Sequence, residues 1–381
     1  MNIQFWKKDK GQQKVKPKKS ALREWVDAIV WAGGAALIIR TFVFEAFMIP
    51  TASMERSLMV GDFLFVSKFH YGTRLPMIPL CVPFVHNKLP FANAKSYLNW
   101  IELPYFRLPG ITEVKRNDVV VFNYPADDIR PNNPDLGPVE EPSMKENYIK
   151  RCVAIPGDTF EIRQQQIYIN GKKGENPENY QYRYLVRTKP GESFNPKRLL
   201  EEYGYRDPGD HNSNWGLAPG ADSYWFLMTN DMAKQFTSMP NVLEVRRDSM
   251  PQAMADQEIY PQDAAHYPWN LDNYGPMVVP KKGDSVKLSI YNISFYARII
   301  HNYEKHELDV VNGKILIDKK ETDSYTFEMD YYFMMGDNRN NSLDGRYWGF
   351  VPENHIVGKP VLVVFSLENG IRWERIFSSI K

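Results

Sequence analysis

One segment near the start constrains this chain more than any other. Trp25-Val-Asp-Ala-Ile-Val-Trp-Ala-Gly-Gly-Ala-Ala-Leu-Ile-Ile-Arg40-Thr-Phe-Val-Phe44 contains an uncharged run from Ala28 to Ile39. That run falls short of the ~20 apolar residues that cross a bilayer as a helix. If Arg40 snorkels to the outer head groups, Val26 to Phe44 forms a helix of roughly 28 Å, close to the ~30 Å hydrocarbon thickness. Such a helix spans. Ahead of it, residues 1–23 carry the bases Lys7, Lys8, Lys10, Lys14, Lys16, Lys18, Lys19 and Arg23 against the single acid Asp9. The positive-inside rule then assigns residues 1–24 to the cytoplasm and everything after about residue 45 to the far side. A cleaved secretory signal and a buried core helix are the alternatives to an uncleaved anchor. No second run of comparable length follows, so the bulk of the chain is expected to be a water-soluble domain on a tether.

With 381 residues, 43% of them apolar, the chain has material for two or more cores. Its formal net charge is +1, with the positive surplus confined to the tail, which gives no reason to expect a nucleic-acid partner. Cys81 and Cys152 are too few for a metal cluster and are expected to be free thiols. Beyond residue 45 short β-rich runs dominate: Asp62–Ser67, Asp118–Tyr124, Thr159–Arg163, Gln166–Asn170, Ser285–Tyr291, Lys314–Asp318 and Val361–Phe365. Two stretches read as helices. Asn195 to Gly204 has a capping Asn, a Pro in the first turn and a terminal Gly, and Asn230 to about Ser238 is the other. Residues 75–110, rich in Pro and aromatics, are expected to form a long surface loop apolar enough to touch lipid.

Familiar hydrolase patterns are missing. None of the seven histidines stands in an H-E-x-x-H spacing, and there is no G-x-S-x-G elbow. Ser53 is followed three residues on by Arg56, which cannot deprotonate to act as a base. Ser67 and Lys68 are adjacent on a strand, so their side chains point to opposite faces.

Three segments remain, in this order behind the apolar run. They are Phe44-Glu-Ala-Phe-Met-Ile-Pro50-Thr-Ala-Ser53-Met-Glu-Arg-Ser-Leu58, Asn147-Tyr-Ile-Lys150-Arg-Cys-Val-Ala-Ile-Pro-Gly-Asp158 and Gly336-Asp-Asn-Arg-Asn-Asn-Ser342-Leu-Asp-Gly-Arg-Tyr-Trp-Gly-Phe-Val-Pro352. Together they closely resemble the bacterial type I signal peptidases (leader peptidases, family S26), membrane-bound Ser/Lys proteases. The resemblance covers the anchor, about 120 residues after it and the last 55.

The resemblance implies a nucleophile at Ser53, a general base at Lys150, an oxyanion-hole hydroxyl at Thr51 and an orienting role for Ser342 toward Lys150. It also implies a supporting scaffold of Asp337, Arg339, Asp344 and Arg346, and shallow substrate pockets lined by Phe47, Ile49, Pro50, Met54, Leu58, Leu64, Tyr148 and Ile149. An ammonium cannot act as a base. At pH 7.4 roughly one lysine in a thousand is neutral, and lowering its pKa by about 2–3 pH units requires about 3–4 kcal/mol of bias against the charged form. Burial can provide that bias. The strand around Lys150, with Tyr148, Ile149, Cys152, Val153 and Ile155, is apolar on both faces.

The implied fold is mainly β: an antiparallel β catalytic core of signal-peptidase type with a large inserted β-rich domain containing some α, preceded by one transmembrane helix. The expected division is 1–24 basic cytoplasmic tail, 25–45 anchor, 46–172 first part of the core, 173–325 insertion and 326–381 second part of the core. Several positions depart from the family pattern: Ala52 for a frequent glycine, Glu55-Arg56 after Met54, Asn340 for an acid, Gly345 for a serine and Asn117-Asp118 for Gly-Asp. The implied activity is removal of signal peptides from exported preproteins with small residues at the first and third positions before the cut. Implied partners are those preproteins, the lipid bilayer and a nearby translocon; no cofactor or metal is called for. The implied location is the cytoplasmic (inner) membrane, with the catalytic domain on the outer, periplasmic side. Alternatives are a maturation peptidase dedicated to one substrate, or a membrane-anchored binding or assembly module with vestigial catalytic residues.

Overall fold

The computed structural model describes residues 20–82, 85, 89, 94–126, 141–206, 208–210, 212–368 and 370–380. Of the expected basic tail, residues 1–19 lie outside the described residues. The apolar segment forms helix α1, Ala21–Phe42, opened by Ser20, whose side chain accepts from the Arg23 amide. None of its residues is buried: Trp25, Trp31 and Ile38 stand fully open, and the helix is long and apolar enough to cross a membrane. Its end is tied to the domain behind it. Thr73 Oγ1 donates to the Phe42 carbonyl at 2.7 Å and the Lys68 amide to the Val43 carbonyl at 3.0 Å, which satisfies acceptors that a helix terminus leaves open. Arg40, in the last turn of the helix, pairs with Glu45 at 2.9 Å, and Lys68 reaches the other oxygen of that carboxylate at 2.8 Å.

The main sheet contains β1 (Phe44–Met48), β2 (Asp62–Ser67), β3 (Val119–Asn123), β4 (Asn147–Ala154), β5 (Tyr331–Met335), β6 (Val351–Pro352), β7 (Ile356–Ser366) and β8 (Ser378–Ser379). The spatial order is β1-β2-β7-β3-β4-β5-β6, with β8 on β7, and every pairing is antiparallel. Period-two alternation sets the faces: Leu64 and Val66 of β2 are fully buried while Phe63 and Phe65 are exposed. Strand β3 is buried on both faces, which is why it reads as a continuous apolar run. β7 extends well beyond the expected Val361–Phe365 because its two halves bond different neighbours, β3 at Ile356 and Gly358 and β2 from Lys359 to Ser366.

Between β4 and β5 the chain makes two further bodies. Strands Val242–Arg247, Tyr182–Thr188, Ser223–Met228 and Trp215–Leu217 form one sheet, covered by the expected helices at Pro196–Tyr203 and Asn230–Thr237 around Phe226, Phe236 and Tyr205. A second sheet pairs Tyr274–Val278 with Thr159–Arg163, Gln166–Ile169 and Lys172–Lys173, and its core of Phe160, Ile162 and Tyr274 runs on into Tyr331 and Phe333 of β5. Residues on either side of the expected 172/173 boundary therefore share a sheet and a core. Ser285–Tyr291, expected as one strand, pairs only over Ser285–Lys287 with Ser324–Thr326.

Residues 73–82 and 94–108 differ from a simple loop. Backbone bonds from Leu108 to Thr73, Leu75 to Phe106, Leu103 to Met77, Leu98 to Leu80 and Val82 to Ser96 stitch these two stretches into an irregular hairpin arm beside the C-terminal end of α1. Arg74 and Arg107 fasten its base, donating to the carbonyls of Asn354 and Ile356 at 2.5 and 2.6 Å.

Candidate active site

Ser53 lies in a single 3-10 turn, Ala52–Met54, between β1 and β2; Lys150 lies mid-strand on β4. The Ile49 amide bonds to the Asp62 carbonyl and the Gly61 amide to the Ile49 carbonyl, which closes the β1–β2 excursion and turns the Ser53 segment toward β4. Lys150 Nζ donates to Ser53 Oγ at 2.7 Å and to the Ile149 carbonyl at 3.0 Å. Ser53 is 7% exposed and Lys150 3%. Burial pushes the Lys150 amine down to about 8, against the opposing pull of the Asp344 and Asp337 carboxylates. The Tyr148 ring centroid lies 5.4 Å from Nζ.

The segment after β5 holds the Ser53 turn in place. The Asn338 amide donates to the Ser53 carbonyl at 3.0 Å, and its side-chain Nδ2 to the Ala52 carbonyl at 3.1 Å. Gly336 fits here because nothing larger can. A Cβ at that position would stand 2.2 Å from Ser342 Oγ and 2.6 Å from the Ser53 carbonyl oxygen. Ser342 thus sits against the glycine. Neither of the two hydrogen bonds of Lys150 Nζ goes to it. Thr51, exposed and extended at φ −130°, precedes the turn with no side-chain bond to the turn's amides. The first amides of such a turn have no intrahelical acceptor, so the Ser53 N–H is available to a ligand.

Two buried ion pairs surround the site, and only one is the pair suggested by proximity in sequence. Asp344 accepts from Arg346 Nε and Nη2, both at 2.9 Å, and also from the Gly336 amide at 3.1 Å. Asp337 pairs with Arg151, not with Arg339: Arg151 Nε and Nη2 reach its two oxygens at 2.8 and 2.7 Å, and Ser57 Oγ adds a third bond at 2.6 Å. Arg339 departs from the expected scaffold. Its guanidinium is buried and none of its nitrogens has a hydrogen-bond partner among the described residues; the Tyr180 ring lies 5.9 Å away. Its backbone carbonyl, not its charge, enters the scaffold by accepting from Arg346.

Of the expected pocket residues, Ile49, Met54, Leu58 and Leu64 share one buried cluster with partly buried Phe47 and Ile149. Pro50 is exposed at the end of β1. Tyr148 lies on the opposite face of β4 from Ile149, the face that carries Lys150, stacked on Tyr124 at 4.7 Å and edge-on to Trp348 at 5.5 Å, because successive residues of a strand face opposite ways.

Arg151 and Asn338 were not anticipated. Arg151 carries no pattern signal, since its partner is 186 residues away. The unusual Glu55-Arg56 also finds its reason in the inserted body: Arg206 bonds the buried Glu55 carboxylate at 2.9 Å and Glu368 at 3.2 Å, while Arg56 donates to the Tyr203 carbonyl. Burial pushes Glu55 upward despite that partner. Cys81 is exposed and Cys152 buried, both as free thiols.

Comparison with known proteins gives the same reading from another direction. A sequence model of the family described as signal peptidase, peptidase S26, matches residues 22–213 and 282–365. The chain is 26% identical to a protein named Signal peptidase I from Buchnera aphidicola (subspecies Baizongia pistaciae), over 89% of this chain and 77% of that relative. It is 25% identical to Signal peptidase I of Helicobacter pylori J99, over 94% and 91% of the two chains. It is 26% identical to Signal peptidase I of Haemophilus influenzae Rd, over 97% and 78%. With the family matched across most of its length, and with an antiparallel β core behind one apolar helix, the chain belongs to the signal peptidase family, peptidase S26.

Proposed function

We propose that this protein is a membrane-anchored serine endopeptidase that removes signal peptides from exported preproteins, with Ser53 as nucleophile and neutral Lys150 as its general base. The observation that carries the reading is the 2.7 Å contact between Lys150 Nζ and Ser53 Oγ in a buried site where the amine is held near 8. Ser53 Oγ attacks the scissile carbonyl while its proton passes to the neutral amine of Lys150. The Thr51 hydroxyl and the Ser53 N–H stabilise the oxyanion. Collapse breaks the C–N bond, and Lys150 returns the proton to the leaving amine. Water then attacks the acyl ester, giving its proton to Lys150, and Ser53 is regenerated. Ser342 and the Asp337–Arg151 and Asp344–Arg346 pairs position these groups, since they pack on Gly336 and on the strand that carries Lys150.

An extended peptide running between β1 and β4 is held by main-chain bonds, and the apolar cluster around Ile49, Leu64 and Ile149 selects small side chains at the first and third positions before the cut. The Lys-rich tail supports a cytoplasmic N-terminus with the catalytic domain on the far side of the membrane, and the family resemblance supports the inner membrane, where preproteins emerge near the translocon. Lys150→Arg tests the mechanism, because arginine keeps the charge but cannot serve as base. Cleavage of preprotein in detergent is expected to fall by at least about 10³-fold, as with Ser53→Ala. Cleavage retained within tenfold of wild type would refute the assignment. A panel of unrelated preproteins separates a general from a dedicated peptidase: processing of only one defeats the general reading.

A further inference from the structure

A cavity of about 190 Å3 opens between the outer end of α1, the hairpin arm and the start of β4, with Leu37, Arg40, Ile78, Cys81, Met144 and Asn147 on its walls. It lies on the path that the peptidase reading gives a substrate. Asn147 is three residues before Lys150 on the same strand, about 10 Å away at ~3.3 Å per residue. The end of α1 marks the bilayer surface from which the substrate's own apolar segment rises. A chain running from that surface to Ser53 therefore crosses the cavity before it reaches the cut.

The walls have two characters. Ile78 and Tyr97 of the arm pack on Met144, giving an apolar side. Glu45, held between Arg40 and Lys68, gives a charged side. The arm is not loosely placed: Arg74 ties it to Asn123 Oδ1 at 2.8 Å, and Asn123 Nδ2 in turn bonds Asn147 Oδ1 at 3.1 Å. An apolar cavity of about 150 Å3 accommodates benzene, so this one has room for a single large side chain.

We infer that this cavity is an upstream subsite of the peptidase, which takes a large apolar side chain about four to six residues before the cut, at the junction between the membrane-embedded and extended parts of a preprotein's signal segment. The inference rests on the peptidase reading and deepens it. It makes the arm a second determinant of specificity, one that short substrates never engage.

Cys81 provides the test, since it is exposed on the cavity wall while Cys152 is fully buried and out of reach of reagents. The full chain in detergent is labelled at Cys81 with a bulky maleimide. It is then assayed on a preprotein with its whole signal segment and on a peptide that starts three residues before the cut. The ratio of kcat/KM for preprotein to that for the short peptide is expected to fall at least tenfold, and Val82→Trp, which fills the same cavity without a reagent, is expected to lower it likewise. Cys81→Ser treated with the same maleimide keeps the ratio of the untreated protein. An unchanged ratio, or a parallel loss on both substrates, overturns the subsite. Failure of the unlabelled protein to cleave either substrate would instead overturn the peptidase reading.

Discussion

Lys150 and Arg151 are neighbours on β4, equally buried, and they point into opposite surroundings. On one face Arg151 meets Asp337 with two parallel N–H···O bonds, so a full charge is kept by a matching charge. On the other, Lys150 meets a hydroxyl and a carbonyl, neither of which balances an ammonium, and its carboxylate neighbours already serve arginines. The guanidinium has its carboxylate partner, and burial presses the amine to give up its proton. The same strand thus holds a structural charge and a titratable base one residue apart. Two things separate them: a guanidinium cannot serve as a base where an amine can, and adjacent side chains of a strand face opposite ways.

Methionine at either position sets the two faces against each other. Lys150→Met is expected to abolish cleavage, a loss of at least about 10³-fold, while leaving stability unchanged or slightly raised, because an apolar chain replaces an uncompensated buried amine. Arg151→Met leaves Asp337 buried and unpaired and is expected to destabilise by about 3–5 kcal/mol; adding Asp337→Leu should recover most of that. Urea unfolding of the solubilised protein reads both. A destabilised Lys150→Met with an unaffected Arg151→Met would invert the comparison.

Gly336→Ala acts on the boundary between the faces. Its Cβ would press on Ser342 Oγ and the Ser53 carbonyl, shifting the proposed nucleophile. A misplacement of ~1 Å is worth about 10²-fold in rate, so kcat should drop by that order with little change in KM. Wild-type kcat here would mean that the turn tolerates displacement.

The pH profile is the mildest probe. Lys150 is held below its ordinary value, at about 8, and in the proposed mechanism acts when neutral, so kcat/KM is expected to fall about tenfold per pH unit below 8 and to level above it. A flat profile between pH 6 and 8 would place the essential base elsewhere.

Much of the fold could be read from local pattern. The 2.0 period of Asp62–Ser67, the Asn-Pro start and Gly204 stop of the helix at Pro196–Tyr203, and the bare apolar run before residue 45 each declare an element, because their physics is satisfied within a few residues. The arm formed by 73–82 and 94–108 was not legible, since its rungs are single bonds between irregular residues rather than a repeating ladder. Nor was the path by which Glu55 and Arg56 reach Arg206 and Tyr203, as ion pairs across such separations leave no periodicity. Arg339 shows the limit from the other side: surrounded in sequence by Asp337 and Asp344, it pairs with neither.

By itself the sequence determined that this chain carries one apolar helix at its start, builds mainly from strands and contains a serine and a lysine in motifs of a known chemistry. Hydrophobic period, capping and residue type suffice for that, because each is a property of neighbours along the chain. Only the tertiary structure decided that Ser53 and Lys150, 97 residues apart, touch at 2.7 Å, and that the lysine rather than the arginine beside it lacks a balancing carboxylate. Desolvation and pairing are set by what packs around a group in space, and those neighbours come from β1, β4 and the segment after β5 at once.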